Sequence, residues 1–140
     1  MTSEHARPAC FTVHSLAHLR AVLETAGSRP VTILSGPIAS AYAGYTWFAA
    51  LVREASAEFP RANFTAILDC GDRAGDALGA LDAGVTDVIF TGHPDAARRL
   101  NQIADATGAR IISERPVSMD LLNLRDPAYA VRAYFETGSN

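Results

Sequence analysis

Reactive side chains collect at three places in this chain, each directly after a short apolar run. Ser35-Gly36-Pro37 follows residues 31–34, Asp69-Cys70-Gly71-Asp72 follows residues 64–68, and Thr91-Gly92-His93 follows residues 88–90. Asp69 and Asp72 are two carboxylates three positions apart across a turn, a spacing that can chelate a divalent cation or divide acid and base roles. The same two residues can instead be structural, Asp72 as a helix N-cap and Asp69 as an acceptor for loop amides. Cys70 becomes a nucleophile only if a helix N-terminus and a nearby histidine stabilise its thiolate. A free cysteine is more commonly buried and inert. His93, just ahead of Pro94, can serve as a general base if Asp69 or Asp72 orients it, or simply cap a helix and face water.

The small residues around these groups suit an anion. Ser35, Gly36, Gly71, Thr91 and Gly92 would offer backbone N–H groups and hydroxyls at helix N-termini, where phosphate and carboxylate are favoured. Pro37 weakens the first cradle because it has no N–H. Arg115 can close on such an anion with a bidentate clamp, or pair with a neighbour such as Glu114. No dinucleotide fingerprint and no P-loop are present, so no cofactor is assigned. His14 and His18 have a spacing that can hold a metal, but the glutamate of H-E-x-x-H is missing and no metal site is assigned.

These groups need a scaffold that brings strand ends together. Apolar runs at 10–14, 31–34, 64–68, 87–90 and 110–112 read as strands, and helical spacing follows each of the first four. The second helix is expected to run unbroken from 38 to 58, the third from 72 or 73 to Gly84, and the fourth from Pro94 to Gly108. Residues 119–124 are ambiguous, and 127–135 read as a closing helix. Strands alternating with helices imply right-handed crossovers and a parallel sheet. The expected fold is α/β, a single-domain three-layer sandwich on a five-stranded parallel sheet, flavodoxin-like, with a half-barrel of βα units as the alternative. In such sheets the residues just past the strands' carboxyl ends line the ligand crevice, so the three clusters should converge.

Size and composition bound the function. The chain has 140 residues, 49% of them hydrophobic, enough for one core without staples. Expected boundaries are a flexible segment at 1–9, one domain at 10–136 and a tail at 137–140. A net charge of −3 gives no reason to expect nucleic acid or an anionic membrane as partner. Cys10 and Cys70 make no disulfide framework, and the first nine residues lack a signal-peptide pattern, so a soluble cytoplasmic protein is expected. All 12 cations are arginine, and the absence of lysine removes Schiff-base aldolases, P-loop nucleotidases and pyridoxal enzymes.

The stretch from Phe64 to Ile112, above all Asp76-Ala-Leu-Gly-Ala-Leu-Asp-Ala-Gly-Val-Thr-Asp-Val-Ile-Phe-Thr-Gly, resembles a βα repeat of aldolase-type phosphate-binding barrels. The likeness covers about a third of the chain and implies a βα unit without an activity, since Schiff-base aldolases need the missing lysine. The whole chain is similar to small bacterial α/β proteins. Two features concern partners. Gly71, Gly75 and Gly79 leave one helix face nearly bare, which permits close approach of another element. Tyr42, Tyr45, Trp47 and Phe48 cannot all face the sheet from one helix, so a homo-oligomer contact is expected there. The expected function is a binding or regulatory module that holds a small anionic ligand at the strand ends and self-associates. One alternative is a small hydrolase or lyase using His93 with Asp69 or Asp72 and Cys70; another is a structural subunit without a ligand.

Overall fold

Local chemistry accounts for most of the element ends in the computed structural model, which describes residues 8–137. Strand β1 (Ala9–Thr12) leads to α1 (Leu16–Ala26), where the Ser15 side chain accepts the His18 N–H as N-cap and Gly27 closes the helix at φ 62°. Strand β2 (Pro30–Leu34) follows, then α2 (Ala39–Tyr42) and α3 (Tyr45–Glu58). The expected single helix over 38–58 is thus broken. Gly44 sits at φ 92°, outside helical space, and Ile38 takes a left-handed conformation at φ 50° that a β-branched residue rarely adopts. Strand β3 (Asn63–Asp69) precedes α4 (Ala74–Asp82), whose N-cap position is Arg73 and not Asp72. Then come β4 (Asp87–Ile89), α5 (Pro94–Thr107), β5 (Arg110–Ile112), β6 (Met119–Asp120) and α6 (Pro127–Thr137). The expected flexible 1–9 segment and 137–140 tail lie largely outside the described residues, although Ala9 already opens β1.

The molecule is α/β with an all-parallel sheet, in the order β5-β4-β3-β2-β1-β6. It has six strands where the sequence suggested five; β6 is only two residues long, too short for periodicity to register. The order also differs from the 2-1-3-4-5 of flavodoxin. Strands β1 to β5 are laid down sequentially, as in a run of βα units, but β6 then returns to the outer edge of β1 instead of continuing beyond β5.

Alternation along the strands separates the sheet's two faces. Phe11, Val31, Ile33, Leu68 and Val88 join one cluster with the buried residues of α1, α3, α4, α5 and α6. Leu34, Ile67 and Ile89, flanked by Cys10 and Ile112, form a second, smaller cluster made of strand residues alone.

The return of β6 has a geometric consequence. Only residues 113–118 join β5 at one edge to β6 at the other. Five interstrand spacings of about 4.8 Å approach the full reach of such a segment, so beyond the bend at residues 113–114 it crosses the carboxyl ends without helix or turn. Arg115-Pro116 suits that course, because a residue before proline is pushed into extended backbone.

Candidate functional site

The crossing segment is pinned where the sequence placed the ligand. The Arg115 guanidinium donates to Asp69 Oδ2 at 2.8 Å, to the Ser35 carbonyl at 2.8 Å and to Thr12 Oγ1 at 3.2 Å, so one side chain ties together the ends of three adjacent strands. Thr12 also shares a hydrogen bond with the hydroxyl of Ser118, farther along the segment. Asp69 is buried, and its other oxygen accepts the Gly71 N–H at 2.9 Å. The Ser35 hydroxyl, fully buried, donates to the Gly36 carbonyl and accepts the Asp69 N–H. The Thr91 N–H donates to the Gly71 carbonyl at 2.7 Å. Ser35, Asp69, Gly71, Thr91 and Arg115 do converge, and they spend their bonds largely on one another.

The expected acid–base pair is not assembled. Strands β3 and β4 are neighbours, as that pair required. His93, however, turns its Nδ1 to accept the Asp95 N–H at 3.0 Å and is 73% exposed, which makes it the N-cap of α5. Asp72 is exposed, and the Gly92 Cα faces the Phe90 ring and the Asp72 carbonyl. Cys70 is fully buried; burial pushes its thiol up to about 11, with the Asp76 and Asp69 charges adding to the effect against a Ser40 hydrogen bond and Arg73. That is a structural cysteine and a poor nucleophile. Cys10 is half-buried, and burial likewise raises its thiol to about 11 against the pull of Arg115.

An open pocket lies beside this closed cluster, at the carboxyl ends of β1 and β2. It holds about 270 Å³ and is lined by Val13, His14, Gly36, Ala39, Tyr42 and Trp47, among others. His14 Nε2 sits 2.8 Å from Asp120 Oδ1, and Asp120 Oδ1 also accepts the Leu122 N–H. Burial opposes the Asp120 charge, but the Leu122 amide, the His14 ring and the Arg115 cation outweigh it and hold the carboxyl below the usual carboxylate range. A carboxylate has no proton to give, so Nε2 is the donor; in the neutral form of the ring Nδ1 is then an acceptor. That Nδ1–Cε1 edge lies over Gly36. A Cβ there would come 2.9 Å from His14 Cε1 and would collide with the Tyr42 hydroxyl as well, so only glycine lets both rings reach this point. The His18 Nδ1 accepts the His14 backbone N–H at 3.0 Å; burial first, and the neighbouring His14 second, hold its pKa below the ordinary histidine value.

The sequence singled out His14 only for its spacing from His18. Its partner is 106 residues away on a two-residue strand, and no local pattern connects them. Among the described residues, no group of three or more His, Cys, Asp or Glu is placed to hold a metal, and no helix is long and apolar enough to cross a membrane.

The break separates only Tyr42, on α2, from the other three aromatics, which share α3 and point apart because successive residues step by about 100° round a helix. Phe48 is core, Trp47 lines the pocket, Tyr45 lies against the bare Cα of Gly79 on α4, and only Tyr42 is strongly exposed, at 66%. Of the three glycines, Gly79 seats Tyr45, Gly71 lies before α4 at positive φ against Ile38, and Gly75 faces open space; the four aromatics do not share one exposed face. No family model matches the chain, and no curated protein matches it.

Proposed function

We propose that this chain is a small-molecule binding module whose pocket sits at the carboxyl ends of β1 and β2. The observation that carries the proposal is the His14–Asp120 pair, which leaves the imidazole's accepting edge facing a pocket walled by Tyr42 and Trp47. The matching ligand is compact, with an aromatic or apolar body and one N–H or O–H donor for His14 Nδ1. A permanent anion is a poorer occupant than the strand-end glycines suggested, because Arg115, the cation at this rim, already faces Asp69. An enzyme reading moves with the site: a histidine oriented by a carboxylate is the arrangement of a general base, so hydrolase or lyase chemistry would run through His14 and not His93.

Amide-shift titration by NMR with phenol, indole, toluene and inorganic phosphate tests the proposal. Phenol and indole are expected to shift residues 13–14, 36 and 39–47, toluene less, and Gly36→Ala to abolish the response while the protein stays folded. Binding of phosphate alone, with shifts at 71–72 and 91–92, would restore the anion cradle in its place. Silence from every probe at millimolar concentration would remove the pocket reading.

A further inference from the structure

A second concavity, of about 370 Å³, opens at the other end of the sheet, between α3 and the turn that carries α4 into β4. Its lining is mostly apolar, with Phe48 and Val52 from the helix, Val85 from the turn and Ala66 from β3. It exists because Ala49, Ala66 and Ala83 are too small to fill the space between helix and turn. Three polar residues line it: Arg53, Ser56 and Thr86, the last with its hydroxyl already donating to Asp87 Oδ2. Arg53 and Ser56 are three residues apart on α3 and therefore neighbours on one helix face. Both are exposed, and neither side chain has a hydrogen-bond or ion-pair partner among the described residues, a state Arg53 shares with Arg61, Arg99, Arg125 and Arg132; what sets Arg53 apart is its place at the mouth of an apolar hollow.

An apolar hollow with one unpaired guanidinium and one unpaired hydroxyl at its edge matches an amphipathic acid. The hydrocarbon part removes the apolar walls from water, and the carboxylate accepts a fork of hydrogen bonds from Arg53 with a further one from Ser56. A single cation on a protein of net charge −3 does not suit a polyphosphate, and the volume lies near the lower end for ligand pockets, which restricts the acid to a small one. We propose that the groove between α3 and the α4–β4 turn is a binding site for a small aliphatic carboxylate, separate from the His14 pocket.

Octanoate and 1-octanol, titrated against the whole chain and followed by NMR, distinguish the parts of this proposal. Octanoate is expected to shift residues 48–56 and 83–86 and to bind at least tenfold more tightly than the alcohol. Arg53→Gln should remove that tenfold preference and leave octanol binding unchanged. Ala49→Phe, with its fold verified by thermal melting, should lose both ligands by filling the groove. Equal binding of acid and alcohol, an unaffected Arg53→Gln variant, shifts confined to the His14 pocket, or no shifts at all would each overturn the assignment.

Discussion

Replacing Arg115 tests whether the crossing segment is locked by charge. Arg115→Met keeps most of the side-chain stem and removes the guanidinium, along with three hydrogen bonds to three strands. Asp69, only 5% exposed, is then left with the Gly71 N–H and no cation. Removing one partner of a buried ion pair costs about 3–5 kcal/mol. The Arg115 side chain is itself 27% exposed, so water can take its place on one side, and the lower end, about 3 kcal/mol, is expected. For a chain of this size that corresponds to a fall in Tm of roughly 10 °C. Urea denaturation of wild type, Arg115→Met, Asp69→Asn and the double variant supplies the assay. Once Asp69→Asn has removed the stranded charge, Arg115→Met should do less further harm, so the double variant should lose at least about 1 kcal/mol less than the two single losses together. A single-variant loss below about 1 kcal/mol, the level of an exposed pair, would refute the lock. So would simple additivity.

Two further predictions concern groups whose protonation the fold controls. The folded His18 pKa lies below its unfolded value of about 6.5, so on acidification the unfolded chain takes up the proton first. Stability should therefore be fully present above about pH 6.5 and decline as pH falls below it. His18→Gln should flatten the profile of urea midpoints between pH 7.5 and pH 5, and parallel profiles would show that His18 is not the titrating group. Cys70, with its thiol raised to about 11, should resist a disulfide reagent at pH 8 until the protein unfolds, while half-buried Cys10 reacts slowly; rapid labelling of Cys70 in Cys10→Ser would restore it as a nucleophile candidate.

These experiments separate two kinds of strand-end residue. Asp69, Ser35 and Arg115 bear the marks of a site, namely polar groups at the mouths of strands, yet their hydrogen bonds close on one another. His14 and Tyr42 bear weaker marks in the sequence, and they face open space. An anionic ligand at the first cluster would have to displace a buried carboxylate from its arginine. At the second, His14 Nε2 is committed to Asp120 while the pocket beside the ring stays open.

The α/β class, the parallel sheet and many of the helix ends were legible in the chain, because they depend on interactions within a few residues, whereas β6 and the division of the second helix into α2 and α3 were not. Ser15 caps α1, Gly27 and Gly108 end their helices at positive φ, and Pro94 opens α5, each by chemistry that spacing reveals. Arg110–Ile112 was read to the residue. The helix break at Gly44 was visible as a glycine but unreadable as a break, since glycine is tolerated within helices and only the backbone angle decides. What the tertiary structure alone decided is which distant groups meet. A two-residue β6 pairing with β1 draws residues 113–118 across the sheet, sets Arg115 on Asp69 and brings Asp120 to His14. Contacts between residues 46 and 106 positions apart are settled by sheet order, and sheet order depends on packing over the whole core, which leaves no local trace in the sequence.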